Sequence, residues 1–189
     1  MSEPEKSVKI CDTWAAPGAL GLAGLALASF VLAFFDLGLF TDAVVLVSMS
    51  IFVGGFVQVF TGLLAFKKGS TFDMVAFTMF GMFWISFAYI LIAPFSDAAA
   101  SATSIGLYLL CWALLSGTML LGLLKLKARA LSILFIILTL VFIVSALTFL
   151  MPEMALGLVA GVLTLALALI SFYTAMAIVL NDVGFKLPL

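Results

Sequence analysis

The chain has 189 residues, of which 66% are hydrophobic and only 9% are charged, with a net charge of -1 and a mean hydropathy of +1.41. A soluble domain carries roughly a quarter of its residues as charged groups, because these residues form its water-facing surface. The composition therefore excludes a soluble domain and indicates an integral membrane protein.

Six stretches with almost no charge are each long enough to cross a hydrocarbon core of about 30 Å as an α-helix. They cover residues 18–35, 43–66, 71–93, 104–124, 130–150 and 154–180. The connections between them are too short to be domains. We therefore predict an all-α membrane protein with a six-helix transmembrane bundle. It consists of a cytoplasmic segment of residues 1–17, a transmembrane domain of residues 18–180 and a cytoplasmic tail of residues 181–189.

All eight basic residues fall on one side of this arrangement: Lys6, Lys9, Lys67, Lys68, Lys125, Lys127, Arg129 and Lys186. The opposite loops contain Asp36, Asp42, Asp97 and Glu153 and no basic residue. Because cytoplasmic loops carry an excess of Lys and Arg, we predict that both termini lie in the cytoplasm. The short loops and the absence of an Asn-X-Ser/Thr site favour a multi-pass protein of a prokaryotic inner (plasma) membrane.

The sequence offers no set of residues suited to catalysis or metal binding. Histidine is absent, and every Asp, Glu, Lys and Arg lies in a loop or near a helix end. Ser86, Ser116 and Ser171 have no His or Lys partner at membrane depth, so nucleophilic catalysis is poorly supported. No phosphate-binding loop or basic nucleic-acid patch occurs. We therefore predict no enzyme activity, no metal or other cofactor, and no nucleic-acid partner.

The second helix carries small and polar residues along one face. Gly54, Gln58 and Gly62 recur at four-residue spacing, with Thr61 beside them. Small residues at this spacing are typical of close helix packing, in which Gln58 would hydrogen-bond a neighbouring helix. The same face could instead line a solute path, since neutral donors can replace the hydration of an anion. The spacing alone favours packing.

The third helix carries an aromatic stripe formed by Phe77, Phe80, Phe83, Trp84 and Phe87. Such a stripe is more often core or lipid-facing bulk than a binding site. Beside a polar strip it could also form a hydrophobic constriction that gates a pore. Composition does not choose between these interpretations.

The second and third helices together resemble a known family. Residues 54–84 read GGFVQVFTGLLAFKKGSTFDMVAFTMFGMFW, which is similar to the signature of the acetate uptake transporter family, also called the succinate-acetate permeases. That signature has a glycine pair, a glutamine, a basic pair, GNTF, AF and YG with FW. The family's opening motif NPAPLGL is matched more loosely by APGALGL at residues 16–22.

The resemblance implies a hexamer of six-helix protomers, with a separate path in each protomer for acetate and, in some members, succinate. Three bulky residues narrow the family's path, and they align with Leu25, Phe80 and Leu138. The helix-start motif retains Pro17 and Gly21. Polar or amphipathic positions along or beside the path are Gln58, Thr78, Trp84, Thr139, Tyr173 and Asn181. The expected partners are a small carboxylate, membrane lipid and further copies of the chain.

Several departures from the family pattern remove polar groups. The family's tyrosine in the third helix is Phe80, which makes the predicted constriction wholly apolar. The other departures are Ala16, Ala19, Ala65, Ser70 and Ile178. Proton-coupled carriers use an intramembrane Asp, Glu or His, and none is apparent here. We therefore expect a neutral polar path of channel or uniport type, in which any proton travels on the solute. The alternative is a non-transporting sensor or scaffold with the same fold.

Overall fold

A computed structural model describes residues 15–92, 100–151 and 153–189. In these ranges, six helices are long and apolar enough to cross a membrane. They are α1 (Pro17–Asp36), α2 (Val44–Lys67), α3 (Thr71–Ile92), α4 (Ala102–Leu126), α5 (Arg129–Leu150) and α6 (Met154–Asp182). The predicted six-helix architecture is confirmed, and each end lies within two residues of its predicted position. Of the predicted segment 1–17, residues 1–14 lie outside the described residues.

The helix ends follow local sequence signals. Pro17 begins α1, where its missing N–H leaves no hydrogen bond unmade. Ser70 caps α3 by accepting a hydrogen bond from the Asp73 N–H at 3.3 Å, and its hydroxyl donates to Asp73 Oδ2 at 2.7 Å. Gly69 turns the chain between α2 and α3 with a φ of 74°. These local signals determine where α1 and α3 begin.

The middle of α2, Met49–Val57, is wound as a π-helix. A π-helix bonds each N–H to the carbonyl five residues earlier, which widens the turn. The wider turn keeps residues four apart closer to one face. Ser50, Gly54 and Gln58 are accordingly all buried. This face of α2 packs against α1 and α3.

The core lies among α1, α3, α5 and α6, with α4 packed against α5. Phe77, Phe80, Phe83 and Trp84 of the aromatic stripe are buried. They therefore belong to the core of the bundle, and the alternative that the stripe faces lipid is wrong. The ring centroid of Phe83 lies 4.9 Å from that of Phe142 in an edge-on contact. The stripe is the centre of the bundle.

Candidate functional site

A cavity of about 200 Å³ extends from one end of the bundle to its centre. It runs along α1 and α3 toward their carboxyl ends, and along α5 and α6 at the same end of the molecule. Its innermost residues on α1, α3 and α5 are Leu25, Phe80 and Leu138. We call it the aromatic cavity because seven aromatic side chains line it: Phe35, Phe80, Phe83, Trp84, Phe87, Phe142 and Phe149.

A second cavity, of about 740 Å³, enters from the opposite end of the same four helices. Lys68, Lys127 and Arg129 line it, together with one acidic residue, Asp73. We call it the basic cavity. These four charged residues leave the cavity wall with a net positive charge. An anion is therefore attracted to this end of the bundle.

A thin apolar layer separates the two cavities. On α1 the basic cavity ends at Leu22 and the aromatic cavity begins at Leu25. On α3 the corresponding residues are Phe77 and Phe80. Three residues correspond to about 4.5 Å of helix rise. On α5 the interval from Leu131 to Leu138 corresponds to about 10 Å. We call this layer the septum. It is bounded by Leu22, Phe77 and Leu131 on the side of the basic cavity, and by Leu25, Phe80 and Leu138 on the side of the aromatic cavity.

The structure brings together the three residues predicted to form a constriction. Leu25, Phe80 and Leu138 are 6%, 4% and 4% exposed and belong to one hydrophobic cluster. The Phe80 ring contacts Phe135 edge-on, with centroids 5.9 Å apart. Phe135 thus lies at the level of the septum. No hydroxyl is available at the Phe80 position to hydrate a passing solute.

Two residues that line the aromatic cavity each carry a buried hydrogen-bond donor without a protein partner. Among the residues that the structure describes, neither Trp84 Nε1 nor Ser29 Oγ has a hydrogen-bond partner. Buried polar atoms are nearly always bonded, so both donors are suited to bind water or a polar solute. Trp84 was among the predicted path residues. Ser29 was missed, although it lies one turn beyond Leu25 on α1.

Gln58, a predicted path residue, binds a neighbouring helix instead of lining either cavity. Its Nε2 donates to the backbone oxygen of Gly21 at 3.3 Å. Gly21 itself belongs to the predicted helix-start motif, and a Cβ added there would collide with the ring of Phe77. Pro17, the other member of the motif, lines the basic cavity. Gly21 thus joins α1 to α2 and α3 next to the septum.

The glycines on either side of Gln58 are also packing positions. A Cβ at Gly54 would lie 2.6 Å from Trp84 Cγ. A Cβ at Gly62 would collide with Thr78 Oγ1. Thr78, predicted to lie along the path, therefore fills the space beside Gly62 and lines neither cavity. The geometry favours the packing interpretation of this strip over the path interpretation.

Thr139, the fourth predicted polar position, joins α5 to α4. Its hydroxyl lies 3.0 Å from Ser116 Oγ and donates to the Phe135 carbonyl at 2.7 Å. It is not among the lining residues of either cavity, although it follows Leu138 directly. Successive residues of a helix point about 100° apart, so the two side chains face different neighbours.

Tyr173 and Asn181 hold the carboxyl-terminal tail against α6. Asn181 Nδ2 donates to the Leu187 carbonyl at 2.9 Å, and the Leu187 N–H donates to Asn181 Oδ1 at 2.7 Å. The Tyr173 hydroxyl donates to the Pro188 carbonyl at 2.8 Å. Leu189 then reaches the wall of the basic cavity. The two predicted path residues thus border that cavity only through the tail that they position.

Asp36 is the charged residue that sequence reasoning misplaced. It was expected to begin a loop, but α1 continues through it and its side chain lines the aromatic cavity. The signal was weak, because a helix boundary read from sequence is uncertain by a residue or two. Because α1 includes this one additional residue, the Asp36 side chain lies in the cavity wall and not in the loop.

Comparison with known proteins is consistent with this architecture. Residues 2–186 match the GPR1/FUN34/yaaH family. The chain is 36% identical over 169 residues to the succinate-acetate/proton symporter SatP of Escherichia coli (strain K12), covering 88% of this chain and 89% of that protein. It is 34% identical over 174 residues to ammonia transport outward protein 2 of Saccharomyces cerevisiae, covering 87% and 61%.

A solved structure of the bacterial acetate channel SatP superimposes with a TM-score of 0.89 at 35% sequence identity. The superposition covers 93% of this chain and 99% of that chain. The likeness thus extends over nearly the whole bundle, including the helices that form both cavities and the septum. The chain belongs to the GPR1/FUN34/yaaH family.

Proposed function

We propose that this chain passes small carboxylates across the inner (plasma) membrane, with acetate preferred and succinate a possible second substrate. The observation that carries the proposal is the pair of cavities in one bundle, whose inner ends are about one helical turn apart on α1 and α3. The similarity to SatP, a protein named for succinate and acetate, supports the choice of solute.

The proposed orientation places the basic cavity and both termini in the cytoplasm. The described basic residues all lie at helix ends, in loops or in the tail at that end: Lys67, Lys68, Lys125, Lys127, Arg129 and Lys186. The positive-inside rule assigns such an end to the cytoplasm. In this arrangement residues 18–180 form the transmembrane domain, and residues 181–189 form a cytoplasmic tail. The exposed apolar faces of the helices contact lipid and, in the proposed hexamer, other protomers.

Passage proceeds in three physical steps. A carboxylate is drawn into the basic cavity by Lys127 and Arg129. It then crosses the septum, which contains no titratable group among the described residues, either as the undissociated acid or as an anion that sheds water. Beyond the septum, the unpartnered Ser29 hydroxyl and Trp84 N–H receive it. This route is channel-like and needs no protonation of the protein.

Acetate uptake by purified protein in liposomes tests the proposal. We expect saturable uptake above that of protein-free liposomes, a slower flux of succinate, and no accumulation of acetate above its own electrochemical gradient. A protein that is folded but inactive toward both acids would support the sensor or scaffold alternative. Accumulation driven only by an imposed pH gradient, with acid leakage subtracted, would contradict the uncoupled mechanism.

A further inference from the structure

The outer part of the aromatic cavity carries an acidic side chain with no basic side chain beside it. Asp36 is the one charged residue among the described residues that line this cavity. Within the part of the chain that the structure describes, its carboxylate has no hydrogen bond or ion pair to another group. A Cβ built on Gly161 would lie 3.3 Å from Asp36 Cβ. The close approach of α6 therefore fixes the end of α1, and with it the position of the carboxylate.

Asp36 is the source of the net negative charge in this cavity. The helix ends balance one another, because α1, α3 and α5 end at this side of the bundle whereas α2, α4 and α6 begin there. The carboxyl end of a helix carries a partial negative charge, and its effect is felt within the last turn. Asp36 lies in the last turn of α1, so its charge adds to the local field of that one helix end.

We propose that Asp36 is a specificity-determining residue, which disfavours solutes with two negative charges relative to those with one. This inference rests on the proposed function and deepens it. The energy of a solute in a fixed potential is proportional to the solute's charge. A dicarboxylate in the cavity therefore meets twice the repulsion of a monocarboxylate, while a neutral solute of the same size meets none. The cavity admits acetate in preference to succinate for this reason.

The test compares three solutes in proteoliposomes containing the wild-type protein or Asp36→Asn. The solutes are acetamide, acetate and succinate, at low ionic strength and about pH 8, where both acids are ionised and screening is weak. The substitution preserves size and removes only the charge. We expect acetamide flux to stay within about twofold, acetate flux to rise roughly threefold, and succinate flux to rise by the square of the acetate factor, roughly tenfold.

Two further variants distinguish charge from structure. Asp42→Asn removes an exposed charge from the loop that follows α1, outside the cavity, and should leave all three fluxes unchanged. Asp36→Glu keeps the charge and should retain the wild-type ratio of succinate to acetate. A purely structural role for Asp36 predicts equal changes for the three solutes in Asp36→Asn.

An unchanged ratio of succinate to acetate in Asp36→Asn overturns this inference and leaves the proposed function standing. A rise in acetamide flux equal to the rise in acetate flux in Asp36→Asn has the same meaning. Absence of protein-dependent flux in the wild type overturns the proposed function and this inference with it. The three solutes thus separate the two failures.

Discussion

The rings of Phe80 and Phe142 lie stacked at the inner end of the aromatic cavity, with centroids 6.1 Å apart and planes inclined by 16°. Phe80 belongs to α3 and Phe142 to α5. Their contact joins α3 to α5 at the level of the septum. The stack holds the Phe80 ring in place between the cavities, where it forms the α3 part of the septum.

Phe80→Tyr should increase acetate flux. The added hydroxyl gives the septum a hydrogen-bonding group, which lowers the cost of dehydrating an anion by about 1 kcal/mol, or roughly fivefold in rate. Acetate uptake into proteoliposomes measures the change. Phe66→Tyr makes the same substitution at an exposed position near the end of α2 and should leave flux as in the wild type. Equal behaviour of the two variants would show that Phe80 does not limit passage.

Gly54→Ala should destabilise the protein by about 1–3 kcal/mol, because the added methyl overpacks a tight helix contact. It would lie 2.6 Å from Trp84 Cγ and 2.9 Å from Ala28 Cβ. The midpoint of thermal unfolding in detergent reports the loss. Gly117→Ala is the matched control, since its methyl would meet Thr139 Cγ2 at an ordinary 3.6 Å. A Gly54→Ala protein as stable as the wild type would exclude the packing interpretation of this position.

Arg129→Gln should reduce acetate flux several-fold at low salt, because the basic cavity loses part of its attraction for anions. The reduction should shrink as ionic strength rises and screens the remaining charges. Lys125→Gln removes an exposed charge from the nearby last turn of α4 without altering the cavity wall. A salt-independent loss in Arg129→Gln, or an equal loss in Lys125→Gln, would argue against attraction by the cavity.

Asn181→Ala should release the carboxyl-terminal tail. It removes both hydrogen bonds to Leu187, each worth about 1 kcal/mol. We expect the Leu187 amide to exchange its hydrogen roughly ten times faster or more, as measured by hydrogen–deuterium exchange. Asp182→Ala changes the exposed neighbouring residue and should leave the exchange rate unaltered. Unchanged exchange at Leu187 in Asn181→Ala would show that the tail is held by other contacts.

The helices could be predicted from the sequence because charge marks their ends. Lys67 and Arg129 fall at helix termini, and the apolar stretch between charges sets each length. The partner of each face could not be predicted in the same way. The spacing of Gly54 and Gln58 shows that they share a face, but it does not tell whether that face meets a helix or a cavity. That distinction depends on how α2 lies against α1 and α3.

The roles of Asp36 and Asn181 were beyond sequence reasoning for two physical reasons. Asp36 lines a cavity only because α1 continues one residue further than its apolar stretch requires. Asn181 is occupied by a tail that folds back on α6, and its contact with Leu187 depends on the turn that follows Asp182. Both depend on local backbone geometry, which composition and hydropathy do not encode.

The most direct test of the central claim is the acetate efflux rate of Leu138→Trp in proteoliposomes, compared with Leu140→Trp. Leu138 lies at the inner end of the aromatic cavity, whereas Leu140 is 42% exposed on the same helix. We predict that Trp at position 138 fills the septum and lowers efflux at least tenfold, while Trp at position 140 leaves it unchanged, with both proteins folded. Wild-type efflux from folded Leu138→Trp would contradict passage between the two cavities.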